Sequence, residues 1–279
     1  MHLLWHSLRT QHVQCLGRIF LRHETPSLPR SSSRRGLVTK YSIVLPCFNE
    51  ADNLPTLVDR FRKFTEEWDF ELILVDNGST DHTASVLEKL TAHEDNRFIK
   101  PHRIEKNKGY GHGIRSGLEE AGGEILAFTH ADAQTPPEDV FRAFELYRSG
   151  ECDPKEHIVK GRRPGRDKVL LTTRGLSFVT RILTGLKIED INGQPKVFHQ
   201  SLLQSMTCSV NNFAFDPYVL FIASKQNLNI QSIDVRFDNR QHGISKSAAT
   251  IVKKFLTIIG FIVGIIKFTK CSKPCKASS

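Results

Sequence analysis

The sequence predicts an α/β fold, a mostly parallel sheet with helices on both faces. Two observations predict it. From residue 41 to about residue 150, short apolar runs alternate with stretches whose apolar residues recur at helical spacing. Four successive apolar runs also end in polar turns, so their ends converge on one edge, where open parallel sheets bind ligands.

The elements follow in order. YSIVLPCF (41–48) is a strand ended by Pro46. Residues 50–68 form a helix, with Leu54, Leu57, Val58, Phe61 and Phe64 on one face. FELILVD (70–76) is a buried strand, and the NGST turn opens a helix over 81–93. RFIKPHRIE (97–105) is a short third strand. GYGHGIRSGLEEAGG (109–123) is a Gly-rich turn leading into a helix that ends in glycines. EILAFTH (124–130) is the fourth strand, and PPEDVFRAFELYRSG (136–150) a helix with proline in its first turn and Gly150 after its end. Beyond 150 the pattern loosens: a strand and basic loop at 156–163, a long helix near 169–185, a short run at 195–199, a helix at 215–226 and a strand at 229–237.

Charge divides the chain further. Of the net +9, residues 1–40 carry seven Lys/Arg against one acid and residues 236–279 carry nine against one, which leaves the body near −5. Such a body excludes a nucleic-acid binder with a basic face; basic ends suit an anionic surface. We read 1–39 as a basic extension and linker, 40–246 as the α/β domain, and 247–279 as a membrane-associating helix and basic tail. On a helix, Thr250, Lys253, Thr257, Gly260, Gly264 and Lys267 make a polar or small stripe, and the other faces are apolar. The uninterrupted apolar core, Phe255 to Ile266, has 12 residues where a span needs about 20. That predicts an amphipathic helix lying in the membrane interface at 250–268, with lysines reaching headgroups. Gly260 and Gly264 would let a second copy or a small membrane partner approach, and the alternative is a buried C-terminal helix of the domain itself. The six cysteines (15, 47, 152, 208, 271 and 275) form no CxxC pair and read as reduced thiols in a cytosol-facing protein.

The strand ends carry the chemistry: PCFNE after the first, VDNGSTD after the second, NKGYGHG after the third and THADAQTPPED after the fourth. With SIVLPCFNEADNL, LILVDNGSTDHT and NKGYGHGIRSGL, these resemble family 2 glycosyltransferases of the GT-A, Rossmann-like fold. Within that family the sequence is most similar to polyprenyl-phosphate sugar transferases, of the dolichyl-phosphate mannose or glucose synthase type. VKGRR, NGQPKVF and FDPYVLFIASKQNLNIQSIDVRFDNRQHGISK continue the likeness over roughly 41–246.

The resemblance implies roles. Pro46, Phe48, Asn49 and Glu50 would cradle base and ribose, with Asp76 bonding to one of them. Asn107, Lys108 and Gly109 would border the nucleotide of a GDP-mannose or UDP-glucose type donor. His130, Ala131 and Asp132 occupy the place of an Asp-x-Asp metal motif, with Gln134 just beyond. Divalent Mn²⁺ or Mg²⁺ is therefore expected, held chiefly by Asp132, with Gln134 near it and His130 either a ligand or a donor behind the ligands. Imidazole suits Mn²⁺ better than Mg²⁺. Arg163, Arg240 and Lys246 are expected on a diphosphate or lipid phosphate, and Arg162 and Arg174 are further cations. Asp190, Gln194 and Lys196 lie where the family meets the acceptor, and Asp132, Arg163 and Asp190 form the expected catalytic set.

A lipid-phosphate acceptor arrives ionised and needs cations rather than a general base. A sugar hydroxyl would need a carboxylate base, for which Glu189, Asp190 and Asp216 are the candidates. The expectation is inverting, metal-assisted transfer of a hexosyl unit to a polyprenyl phosphate at the cytoplasmic membrane surface. The alternatives are a family 2 transferase acting on a sugar hydroxyl, and a nucleotide-sugar-binding protein whose metal motif has decayed at His130.

Overall fold

A computed structural model of the chain describes residues 40–132, 134–164, 171–236 and 251–271. The 1–39 extension, Arg240, Lys246 and the side chain of Arg174 lie outside the described residues.

Strands β1 (Tyr41–Cys47), β2 (Phe70–Asn77), β3 (Ile99–Ile104), β4 (Ile125–Phe128), β5 (His157–Arg162), β6 (Lys196–His199) and β7 (Asn229–Asp234) form one sheet in the order β3-β2-β1-β4-β6-β5-β7. Helices α1 (Leu54–Arg62), α2 (Thr83–Ala92), α3 (Tyr110–Glu119) and α4 (Pro137–Arg148) alternate with the first strands as expected. They are followed by α5 (Leu171–Thr184), the short α6 (Ser201–Gln204), α7 (Phe215–Lys225) and α8 (Ile251–Cys271). β1 pairs in parallel with both β2 and β4, so strand order reverses beside β1, and the crevice opens at the carboxyl ends of β1 and β4.

Successive side chains on a strand point to opposite faces. Val44 of β1 joins a core with Ile114 and Leu118 of α3 and Tyr218 and Leu220 of α7. Its neighbours Ile43 and Leu45 join the opposite core with Leu57 and Phe61 of α1 and Phe141 and Phe144 of α4. Gly117 lets α3 lie close on the sheet: a Cβ there would fall 2.7 Å from a methyl of Val75.

Three features depart from expectation. β6 runs antiparallel to both β4 and β5, which brings its first residue, Lys196, opposite Phe128 and Lys160. The start of β6 therefore meets the ends of β4 and β5 at the same edge. Second, the thiols are not all reduced: Cys208 and Cys271 are joined, while Cys47 and Cys152 are free and buried. Spacing gave no hint of a bond spanning 63 positions, because folding alone brings the two cysteines together.

Third, one face of α8 is buried in the domain, as in the alternative weighed for it. Phe261, Ile265 and Phe268 enter the domain core. The glycine face docks inward rather than outward: Asn212 Nδ2 donates to Gly260 O at 2.6 Å, and a Cβ on Gly264 would fall 2.6 Å from that of Ala214. The opposite face leaves Phe255, Leu256, Ile259 and Val263 exposed. α5 packs against α8 and exposes Phe178 and Ile182. Among the described residues, no helix is long and apolar enough to cross a membrane.

Candidate active site

Three loops at the carboxyl edge tie one another down. Asn49, just beyond β1, stands at φ 56, a left-handed conformation that asparagine tolerates. Its backbone N–H donates to Ser79 Oγ at 3.0 Å, and its Oδ1 accepts from Thr80 N at 2.8 Å. Glu50 N donates to Thr83 Oγ1, and Glu50 Oε2 accepts from Asn53 Nδ2 at 2.6 Å. Asp76, buried at the end of β2, accepts from Ser79 N at 2.9 Å, which closes the second loop. Asn77 Nδ2 donates to Gly109 O, and Asn107 Oδ1 accepts from Gly109 N. Gly109 sits at φ 106, where a side chain would be strained. Pro46 and Asp76, at the ends of β1 and β2, and Phe48, Asn49, Glu50, Asn107, Lys108 and Gly109, in the loops beyond the strands, thus adjoin at one edge, with Asn107 and Lys108 exposed on the rim.

β4 delivers His130, Ala131 and Asp132 to the neighbouring part of the edge. Asp132 is buried, and its Oδ1 accepts from the backbone N–H of Gln134 at 3.2 Å. The His130 ring lies 5.8 Å from that of Tyr110, which stacks in turn on Phe213 at 4.9 Å. Burial pushes the His130 pKa down against the pull of the Asp132 and Asp216 carboxylates, so the imidazole is neutral at neutral pH. Its ring is then able to offer a lone pair.

The far side of the edge is a set of ion pairs. Arg163, after β5, grips Asp190: the backbone N–H and Nε donate to Oδ2 at 2.8 Å, and Nη2 donates to Oδ1 at 2.5 Å. Burial pushes the Asp190 carboxyl up, but the bonds from Arg163 outweigh it and hold the pKa below the usual range. Arg162 pairs with Asp234 at 2.7 Å in a more exposed position, where such a pair contributes little. Lys196 and Gln194, expected on the acceptor side, are buried: Lys196 Nζ donates to Asp216 Oδ1 at 2.7 Å, and Gln194 Nε2 donates to Asp216 and to the Tyr110 hydroxyl. The Tyr110 hydroxyl is pushed far up by burial and then by the Asp216 carboxylate, so it stays protonated.

Sequence reasoning missed Tyr110 and Lys160. Tyr110 lay within a quoted motif but read as part of a Gly-rich turn. Lys160 read as a strand residue, and only the antiparallel β6 reveals that it faces Lys196.

The edge gathers three hydrogen-bonded loops, a buried carboxylate near a neutral imidazole, and a row of ion pairs. Residues 42–215 match the model of the family described as "Glycosyl transferase family 2". The chain belongs to glycosyl transferase family 2. This family 2 transferase is similar to the undecaprenyl-phosphate 4-deoxy-4-formamido-L-arabinose transferase of Proteus mirabilis, 25% identical over 253 residues, 83% of this chain and 74% of the relative. The enzyme of that name in Pectobacterium atrosepticum is 26% identical over 253 residues, with the same coverage of 83% and 74%. Among solved structures, glucosyl-3-phosphoglycerate synthase from Mycobacterium tuberculosis, in complex with Mn²⁺, UDP and glucosyl-3-phosphoglycerate, superposes with a TM-score of 0.62 at 18% identity, covering 85% of this chain and 82% of that one. The same enzyme is also solved with Mg²⁺ and UDP, again at a TM-score of 0.62, with 18% identity and 85% and 81% of the two chains covered. These likenesses establish the GT-A fold of the transferase.

The donor set of the transferase bears on a cation. Among the described residues, no group of three or more His, Cys, Asp or Glu side chains is arranged to enclose an ion. Asp132, with the neutral His130 near it, would suit a divalent cation only if other ligands, such as phosphate oxygens and water, completed its shell. His130→Asp would add a second hard oxygen and is expected to raise Mg²⁺-supported transfer several-fold. An unchanged Mg²⁺ dependence would place residue 130 outside the ligand shell.

Proposed function

We propose that the chain transfers a sugar from a nucleoside diphosphate sugar to a polyprenyl phosphate, with inversion, at a membrane surface facing the cytoplasm. The observation that carries this reading is the state of the carboxylates on the acceptor side. Asp190 and Asp216, candidate bases for a hydroxyl acceptor, each hold a cation, Arg163 and Lys196. Glu189 is exposed and pairs with Arg162 at 3.6 Å. A phosphate acceptor arrives with its nucleophilic oxygen already ionised, so an edge whose carboxylates are each held by a cation, and which is therefore poor in free bases, suits it. The undecaprenyl-phosphate transferases similar to this chain support the same acceptor class.

The protein's own groups then divide the work. The loops of Pro46 to Glu50, Asp76 and Asn107 to Gly109 would hold the nucleotide. Asp132 would hold a divalent cation beside the diphosphate, with Gln134 and His130 next to it. Bound there, such a cation would neutralise charge on the departing diphosphate. Arg163, fixed by Asp190, would orient a phosphate, while Gln194 and Lys196 would shape the floor beneath it. The exposed apolar faces of α5 and α8, with Lys267 and Lys270 on α8, support seating at an anionic membrane surface, where acceptor phosphates lie.

The test is a screen of labelled GDP- and UDP-sugars against short polyprenyl phosphates with Mn²⁺ or Mg²⁺, reading out lipid-linked sugar. Product is expected with at least one donor. Transfer only to sugar hydroxyls, or tight nucleotide binding without turnover of any donor, would overturn the proposal.

A further inference from the structure

Two lysines face each other inside the sheet. Lys160 of β5 and Lys196 of β6 are register partners, and both are 0% exposed. Like charges directly opposite on paired strands are unfavourable, so the arrangement calls for a reason. Lys196 has Asp216 as its partner. Lys160 instead donates to two backbone carbonyl oxygens, those of Gly161 and Glu189, each at 2.9 Å.

The Glu189 carbonyl belongs to the peptide that leads into Asp190, and Asp190 stands at φ 43, in the left-handed region. The turn closes through Gly193 N donating to Asp190 O at 2.8 Å. Gly193 lies tight on the end of β5: a Cβ there would fall 2.8 Å from Asp190 Oδ2 and would collide with Gly161 O. One chain of contacts therefore runs from Lys160 through the Glu189–Asp190 peptide and the Asp190 carboxylate to the Arg163 guanidinium.

We propose that Lys160 is a positioning residue for Arg163, pinning the Glu189–Asp190 peptide so that Asp190 aims the guanidinium, and adding a buried positive charge beneath the phosphate that Arg163 holds. The inference rests on the assignment of Arg163 to a phosphate made above. The shared chemistry is a phosphate anion, from either the nucleotide diphosphate or the lipid phosphate.

The charged groups around Lys160 are Lys196 on β6, Asp190 on the turn, and Arg162 and Arg163 at the end of β5, with Asp216 of α7 behind Lys196. Burial, and then the Lys196 charge, push the Lys160 ammonium down to about 8, against the pull of Asp190. An anion bound nearby favours the charged form. Binding above this pH must then take up a proton, and affinity must fall as pH rises through it.

The test is calorimetric titration of the full chain with UDP–Mn²⁺ and, separately, with geranyl phosphate. Each is run at about pH 7 and about pH 8.5 in buffers of different ionisation enthalpy. For the anion held by Arg163, affinity is expected to fall about fourfold across that range, with proton uptake at the upper end. Lys160→Gln keeps N–H donors without the charge; it is expected to bind several-fold more weakly at the lower pH and to take up no proton. Arg163→Ala is expected to weaken binding at both pH values. If Arg163→Ala changes neither probe, the phosphate assignment of Arg163 fails. If it weakens binding while the unaltered chain takes up no proton and Lys160→Gln binds normally, the inference about Lys160 is overturned. Should Lys160→Gln not fold, proton uptake by the unaltered chain decides alone.

Discussion

Asp132→Asn is expected to lower sugar transfer on the order of 10²–10³-fold, the cost typical of removing one group that stabilises developing charge. The substitution keeps size and one acceptor oxygen but removes the negative charge that β4 delivers to the edge. Asp132 is buried and receives the Gln134 N–H, so the asparagine should sit in the same place and the fold should persist. The loss should therefore appear in transfer and in Mn²⁺-dependent nucleotide affinity, with the melting temperature nearly unchanged. Transfer within a few fold of the unaltered protein would remove Asp132 from the chemistry. A large fall in melting temperature would make its role structural.

Lys196→Met is expected to cost about 3–5 kcal/mol of stability, because it strands the Asp216 carboxylate in the interior without its cation. Lys196 and Asp216 are both buried, 2.7 Å apart, in a network that also contains Gln194 and Tyr110. The double variant Lys196→Met with Asp216→Leu should recover much of that loss, since a matched apolar pair leaves no charge behind. Urea denaturation of both variants and of Asp216→Leu alone gives the coupling. A cost for Lys196→Met of less than about 1 kcal/mol would show that hydrogen bonds from its remaining partners suffice for Asp216. Transfer by the double variant would separate stability from acceptor contact: unchanged KM for the lipid phosphate would place Lys196 outside the acceptor site.

Much of this molecule is legible in its sequence, because local chemistry wrote it there. The alternation of apolar runs and helical stripes marks β1 to β4 and α1 to α4 in order, since strands buried in a parallel sheet and helices packed on it each impose a period. The loops after those strands are equally readable. Asn-Gly, the Gly-rich turn and His-Ala-Asp are short, contiguous and chemically distinctive. They place the loops of the carboxyl edge and Asp132 before any fold is known, and they carry the family resemblance.

The far side of the edge was less legible, because its residues acquire meaning only as pairs from distant parts of the chain. Arg163 and Asp190 are 27 positions apart, and Lys196 and Asp216 are 20 apart. The antiparallel β6, four residues long, has no periodicity of its own to give its direction away. Its direction sets Lys160 against Lys196 and turns two unremarkable lysines into a buried cation pair.

The C-terminal helix divides the same way. Composition set its length, its greasy faces and its glycine stripe. Packing decided that the glycines seat the helix on the Asn212–Ala214 turn, because only a surface without side chains lets the Asn212 and Ala214 side chains lie so close to the helix backbone. The bond between Cys208 and Cys271, at the far end of that helix, likewise exists only once the chain has folded back on itself. The sequence by itself determined the fold class, the family and the loops gathered at the carboxyl edge, through short-range patterns. The tertiary structure alone decided which charges neutralise one another and which face of α8 looks inward, because those depend on distances between residues far apart along the chain.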